Sequence, residues 1–385
     1  MSGRIVFLSA AHPPLDKRVF AKEARTLADA GHEVVHLCPR DPGQAGAWTE
    51  DGVAIRTYPR PQGIAGRALA LPRLALRARA EGASVLHCNE VDSWLAGLVV
   101  KLVGFGRPRV VFDVHEHYPS TFAESRFPPA LRPAVAAGLR LLFRLLAPFT
   151  DRLVFAKASV APDFPGARAV LVQNFAPLAA LPRIERPQRP ADAPVGLVHV
   201  GLISRARGWP QLLAAMARCR LPVRLHVIGT FNDGSEAAFE AEAARLGLSG
   251  AIRHDPWMDY APMLAACAAA DIGLVLFQPG TQNHVFASPH KLFDYWLAGL
   301  PVIAPDFAPE VRGFVAEAEG GVLVDPRDPA AIAAAITGLA DPALRARMGA
   351  SGRAAVLEKF NWEREAAKLL AMYAELLASP ARVPA

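Results

Sequence analysis

The chain has 385 residues, 52% hydrophobic and 20% charged, which suits large buried cores and excludes a disordered chain. That length exceeds one ordinary core and fits two domains. The balance of 42 Lys and Arg against 36 Asp and Glu gives a formal charge of +6, a mild excess that fits an anionic small molecule or a lipid surface and does not demand nucleic acid.

The amino terminus, "MSGRIVFLSA", reads as a strand rather than a signal peptide, because it turns polar at His12. Arg4–Ala10, a loop "AHPPLDKR", a helix Val19–Ala30 ending at Gly31 and the strand "HEVVHLC" form one βαβ unit with parallel strands. Further strands are predicted at "VAIRTY", "VLHCN", "RVVFDVH", "RLVFAK" and "AVLVQN", with helices between most of them. Residues 175–194 then carry five prolines and little periodicity, and read as a linker. Strands resume at "VGLVHVG", "VRLHVIG", "AIRHD", "DIGLVLF", "PVIAP" and "GGVLV", and "WEREAAKLLAMYAELL" is a last amphipathic helix. Two doubly wound α/β domains facing a central cleft are expected, with ligands beyond the carboxyl ends of the strands. The domains are placed at 1–176 and 195–361, with a linker at 177–194 and a helix within 362–385. Cys38, Cys88, Cys219 and Cys267 are scattered, with neither Cys-x-x-Cys nor zinc-like His spacing, which points to a reducing cytoplasm. No run of about 20 apolar residues occurs.

Four stretches carry candidate chemistry. In "GLISRARGWPQLL", Arg205 and Arg207 lie between a strand and a helix amino terminus, as a diphosphate trap or as a basic surface loop. No G-x-x-x-x-G-K-[ST] run exists, and "IGTFNDG" does not complete G-x-G-x-x-G, which argues against a nucleoside-triphosphate P-loop and a nicotinamide dehydrogenase. In "FDVHEHYPS", alternation puts Asp113, His115 and His117 on one face and Glu116 on the other, which favours a substrate-contacting loop or a buried structural histidine over a metal site. In "SPHKLFDYWLAGLP", Ser288 suits the N-cap, Pro289 the first helical position and Gly299 the C′ position. His290, Lys291 and Asp294 share one face, facing either an anion or plain solvent. The segment 126–152 carries five arginines against Asp151, either as a helix on an anionic membrane or as one packed on its own domain.

Together these pieces resemble the family-4 glycosyltransferases of GT-B architecture, through "DKRVFAKEARTLADAGHEV", "HCNEVDSWLAG", "DVHEHYP", "GLISRARG", "HKLFDYWLAGLPVIAPD" and "FNWEREAAKLL". The resemblance implies metal-independent, retaining transfer of a sugar, of hexosyltransferase type, from a nucleotide diphosphate sugar to a glycan or lipid-linked acceptor, with no other cofactor. It implies a cytoplasmic bacterial enzyme of polysaccharide synthesis, at the inner membrane face if 126–152 makes peripheral contact. By position, Arg205 and Arg207 look like the pyrophosphate-binding pair, with Leu202 where the family often has Arg. His115 matches the histidine near the reaction centre. Gly201, Gly229, Ser288, His290, Lys291 and Leu292 fall on the donor side, and Asp294 matches the carboxylate that holds ribose. Phe286 stands at the position of the family's other glutamate. Asp16, Arg18, Asp92 and His117 are the implied acceptor contacts. Two other readings share the architecture: a non-catalytic binding or assembly subunit, and a sugar-nucleotide 2-epimerase, for which no convincing set of cleft carboxylates is found.

Overall fold

The computed structural model describes residues 3–103, 108–178, 184, 186, 187, 189, 190 and 192–378. The chain divides into two compact units, Met1–Asn174 with Trp362–Ala385, and Phe175–Asn361. The expected linker at 177–194 lies partly outside the described residues. Of its described part, Arg186 donates to Gly299 O (2.6 Å) and Arg189 pairs with Asp271 (2.9 Å), both within the second unit.

The first unit is built on β1 (Arg4–Leu8), β2 (Glu33–Arg40), β3 (Ala47–Glu50), β4 (Val53–Pro59), β5 (Val85–Cys88), β6 (Arg109–Val114), β7 (Arg152–Phe155) and β8 (Ala169–Leu171). Their order across the sheet is β3-β4-β2-β1-β5-β6-β7-β8, and every pair is parallel except β3 with β4. Both faces are covered, as parallel strands require. Val6 and Leu8 face a core built by helices Gly63–Ala80, Val91–Val103 and Arg132–Leu146. Ile5 and Phe7 face one built by the stretch Val19–Asp29 and by Trp362–Ala378. The carboxy-terminal helix is bolted to this unit by polar contacts: Trp362 Nε1 donates to Thr26 Oγ1 (3.0 Å), and Tyr373 Oη lies 2.7 Å from His87 Nδ1. Residues 19–30 open as a wide π-type turn over Val19–Ala24 before becoming α-helical, where the sequence pattern suggested one continuous helix.

The antiparallel β3 was not among the expected strands. Asp51 (φ 45°) and Gly52 (φ 76°) form the two-residue turn joining it to β4, with Glu50 opposite Val53. An Asp-Gly pair is a strong sequence signal for such a hairpin.

The second unit contains β9 (Val195–Val200), β10 (Val223–Ile228), β11 (Ile252–Asp255), β12 (Ile272–Leu274), β13 (Val302–Pro305) and β14 (Gly321–Val324), all parallel, in the order β11-β10-β9-β12-β13-β14. The order reverses between β9 and β12, as it does between β1 and β5 in the first sheet. Among the described residues no helix is long and apolar enough to cross a membrane.

The helix His290–Leu297 buries Leu292, Phe293, Tyr295, Trp296 and Leu297. Trp296 Nε1 donates to Gly320 O at 2.9 Å, and its indole fills space that two missing side chains leave open. A Cβ on Gly352 would lie 2.2 Å from Trp296 Cδ1, and one on Gly320 2.4 Å from Nε1. Gly352→Ala is therefore expected to destabilise the second unit by about 1–3 kcal/mol through overpacking. Urea unfolding followed by tryptophan fluorescence should show a lower midpoint with an unchanged slope.

Candidate functional site

In doubly wound sheets the crevice at the order reversal, beyond the carboxyl ends of the strands, is where ligands bind. In the second unit β9 ends at Val200, and Gly201 (φ 99°) turns the chain away. Gly229, after β10, comes so close that a Cβ on it would lie 2.0 Å from Gly201 O. Only glycine fits that contact, which leaves an open floor of backbone. Lys291, in the first turn of its helix, reaches this floor: a Cβ on Gly201 would stand 3.8 Å from its Nζ. His199 Nε2 is 3.4 Å from Lys291 Nζ and 3.2 Å from Leu202 O.

The electrostatics of this cluster are unusual for a surface crevice. Burial pulls the Lys291 ammonium down to about 7, helped by the neighbouring Arg207 charge. Burial likewise lowers Arg207, and it holds His199 well below its ordinary range, with Lys291 adding to the effect. No described carboxylate is paired with Arg207 or Lys291. Asp294, one turn along the same helix, pulls against this lowering at Lys291, and the cluster as a whole remains rich in positive charge. One turn on, Asp294 Oδ1 accepts from Tyr260 Oη at 3.0 Å, and burial beside Asp294 keeps that phenol protonated. His284 completes the surroundings, with Nδ1 2.8 Å from Gln278 O and its pKa lowered by burial, with Arg207 contributing.

Several sequence expectations change here. The helix begins at His290, with Pro289 in the extended cap position (ψ 125°), so Ser288 lies outside it and no side chain caps it. Leu292 faces the core, fully buried, and its N–H donates to Pro289 O (3.1 Å), so it offers nothing to a donor. Arg205 does not join Arg207 and Lys291. It is exposed, its guanidinium lies 5.1 Å above the Trp209 ring, and its N–H donates to Asp233 (2.8 Å). Phe286 ends the short helix Gln282–Val285 as a half-buried ring, and His290 is exposed.

In the first unit, Arg18 is not an acceptor contact. It is 5% exposed, its Nε and Nη2 grip Asp113 (2.9 and 2.8 Å), Nη2 also meets Glu23 (2.9 Å), and Nη1 donates to Val172 O (3.0 Å). Asp16 caps the following turn, with Oδ1 accepting the N–H groups of Arg18 and Val19 (2.8 and 2.9 Å). His117 is buried and turned toward Asp163, 3.5 Å away, so it does not share an open face with His115. Asp92 accepts from Arg67 at 2.6 Å. β6 stops at Val114, so the alternation assumed for residues 113–117 ends before His115. His115 is half-buried, with Nδ1 3.5 Å from Asp113 Oδ2, Nε2 3.3 Å from Tyr118 Oη, and its ring edge-on to His12 (4.8 Å).

Glu90 and His12 were missed. The Glu90 carboxylate accepts the N–H groups of Ala10, Ala11 and His12 (2.8, 2.9 and 3.0 Å), closing the loop after β1. The same carboxylate meets His12 Nδ1 at 2.5 Å, and against the cost of burial this ion pair holds Glu90 at about 2 and raises His12 to about 9. Glu23, His87 and Asp113 bring ligand-type atoms within 4.8 Å of one another, but Arg18 already supplies their positive charge.

Two doubly wound domains in one chain are the GT-B architecture. Residues 17–165 match the Glycosyltransferase Family 4 model, and 205–371 match the Glycosyl transferase-like model. D-inositol 3-phosphate glycosyltransferase of Xylanimonas cellulosilytica is 30% identical over 194 residues, a match spanning 50% of this chain and 44% of that protein. Sucrose-phosphate synthase (tll1590) from Thermosynechococcus elongatus has a similar fold (TM-score 0.72, 20% identity, 98% of this chain and 100% of that one). So does Anabaena Alr3699/HepE in complex with UDP (TM-score 0.71, 16% identity, 97% and 100%). The greater part of the chain is thus matched by glycosyltransferase models.

The low Lys291 pKa has a pH consequence. A bound anion favours the charged amine, so binding above pH about 7 takes up a proton and weakens as pH rises. Sulfate affinity, measured by calorimetry from pH about 7.5 to about 9, is expected to fall, with proton uptake visible between buffers of different ionisation enthalpy. Lys291→Met should be weaker throughout and flat over that range.

Proposed function

We propose that this enzyme moves a sugar from a nucleotide diphosphate sugar to a glycan or lipid-linked acceptor, with retention at the anomeric carbon and without a metal. The observation that carries the reading is the half-buried pair of cations, Arg207 and Lys291, beside the glycine floor of Gly201 and Gly229. As the bond from the anomeric carbon to the diphosphate oxygen breaks, charge builds on the leaving group, and fixed cations stabilise it more than the ground state. These two side chains thereby take the part that a divalent metal plays elsewhere. Asp294, oriented by Tyr260, receives ribose hydroxyls.

The new carbon–oxygen bond to the acceptor forms on the face the diphosphate leaves, and the acceptor's proton passes to a departing phosphate oxygen. His115, steadied by Asp113 and Tyr118, orients sugar and acceptor. UDP is the first nucleotide to try, because Alr3699/HepE is described in complex with it. The segment 126–152 supports peripheral contact at the inner membrane face. Its helix Arg132–Leu146 buries Phe143 in the domain but exposes Leu141 (59%) and Leu145 (62%), with Arg144 beside them.

A screen of UDP-, GDP-, ADP- and TDP-sugars by thermal shift, followed by product analysis, tests the reading. Arg207→Ala should cut turnover by about 10²-fold or more while melting as the parent does, and Arg205→Ala should do less. Chelator should leave the rate unchanged, and proton NMR of the product should give the donor's anomeric configuration. Full activity of Arg207→Ala, an inverted product, or loss of activity with chelator would each sink one part of the proposal.

A further inference from the structure

Behind His115 the first unit holds a chain of buried polar groups. Asp113, 3.5 Å from His115 Nδ1, is gripped by Arg18, and Arg18 Nη2 lies 2.9 Å from Glu23 Oε1. On the far side of Glu23, Oε2 stands 3.5 Å from His87 Nε2, and His87 Nδ1 lies 2.7 Å from Tyr373 Oη of the carboxy-terminal helix. Glu23, His87 and Asp113 are wholly buried and Arg18 nearly so. Among the described residues no hydrogen bond reaches either oxygen of Glu23 or His87 Nε2.

The backbone is shaped to make the contact between Glu23 and Arg18. Val19–Ala24 is wound wide, and Glu23 N–H donates to Arg18 O (3.0 Å), five residues back. In a regular α-helix, side chains five residues apart point about 140° away from each other. The wide turn brings these two together instead, and such turns are frequent at functional sites. A wholly buried carboxylate that accepts no aligned hydrogen bond is costly when ionised. As a neutral acid, Glu23 suits both neighbours: its carbonyl oxygen faces the Arg18 guanidinium, and its O–H faces the lone pair of His87 Nε2. In that state His87 donates its Nδ1–H to Tyr373 Oη. Burial favours these forms, raising Glu23 to about 8 and lowering His87 to about 4. Arg18, Asp113, Asp16 and His12 also act on Glu23 across space, as do Lys22 on its own turn and Tyr373 beyond His87.

We propose that Glu23 is a positioning residue for His115, a neutral acid that leaves the whole Arg18 charge to Asp113. Loss of its proton puts a second buried carboxylate on the same guanidinium, draws Arg18 from Asp113 and frees Asp113 to turn the His115 ring. The role at His115 rests on the glycosyl-transfer reading, whereas the proton on Glu23 does not.

Three full-length proteins test this: the parent, Glu23→Gln, whose amide offers an oxygen to Arg18 and an N–H to His87, and Glu23→Leu, which offers neither. Ring nitrogen signals of His115, assigned with His115→Gln, are followed by NMR without ligand from pH about 6 to about 9. The parent should show a step near pH 8 that Glu23→Gln lacks. An acid that holds its proton more tightly folded than unfolded stabilises at low pH, and that contribution is lost as pH rises through its folded value. The melting temperature of Glu23→Gln should therefore climb relative to the parent between pH about 5 and about 8. With UDP release from UDP-glucose as the turnover probe, Glu23→Leu should lower kcat about tenfold or more at unchanged UDP affinity, while Glu23→Gln keeps kcat near neutrality. A step near pH 8 that persists in Glu23→Gln overturns the proposal, as do parent-like His115 signals and turnover in Glu23→Leu. If Glu23→Leu does not fold, the NMR step and the melting curves of the other two proteins decide. Absence of UDP release from every protein would overturn UDP-glucose as donor and leave the NMR result standing.

Discussion

Two cations, Arg207 and Lys291, stand half-buried in the second unit with neither in a salt bridge among the described residues, and the build of that unit follows from this. Such a pair repels itself and forfeits hydration, so it persists only where the backbone around it is over-determined. The helix that carries Lys291 meets this need through its other side. Five of its eight residues are buried, and large apolar side chains contribute about 1.5–3 kcal/mol each on full burial. Tyr295 adds a polar clasp: its hydroxyl accepts from Val200 N (2.9 Å) and donates to Leu274 O (3.3 Å), joining the helix to the ends of β9 and β12. Those two strands flank the order reversal. The clasp and the glycine contact of Gly201 with Gly229 therefore fix the crevice from two sides, and neither leaves Lys291 room to retreat into solvent without unpacking the helix.

The first unit treats charge in the opposite way. Arg18 is surrounded by Asp113, Glu23 and a backbone carbonyl, and Glu90 is consumed by the loop after β1. Burial raises Glu23 to about 8, despite the opposing pull of Arg18, so near neutrality this cluster holds one full ion pair rather than a surplus. Its output is position: Asp113 stands 3.5 Å from His115, and the closed loop sets His12 against the same ring. Charge is spent inside this domain on shaping strand ends, whereas in the other it is kept open for a ligand.

This difference explains which parts of the molecule were legible in the sequence. Apolar runs of strand length survive any choice of partner, so every parallel strand of both sheets could be read from periodicity alone, while the antiparallel β3 could not. Whether a charged side chain is open or consumed depends on residues far away in the chain. Arg18 meets Asp113 across 95 positions, and no local pattern around "LDKRVF" announces that bond. Leu292 and Lys291 are neighbours in sequence, yet one faces the core and the other the crevice. His199 carried a visible signal as the sole polar residue in "VGLVHV", and the Asp51-Gly52 turn carried another. Pro289 displaced the expected Ser288 cap because an extended ψ at a proline is itself a helix boundary.

An unanswered cation pair would be costly to keep if both charges were permanent. Arginine retains its proton in any protein setting, but a lysine amine gives its proton up readily when desolvated. With burial and Arg207 pulling Lys291 down to about 7, the free crevice carries less than two full charges near neutrality, and a bound anion would restore the missing part. Repulsion between the two cations is thus smallest when no anion is near them and attraction greatest when one is. The same exchange acts at the end of a cycle, since a departing anion lets the amine shed its proton again instead of leaving behind a bare buried charge. A second arginine at position 291 would hold its charge without that relief, whereas Asp294 opposes the lowering of Lys291 only in part. Half-buried lysine, arginine and open glycine backbone form the combination in which affinity and the stability of the empty site oppose each other least.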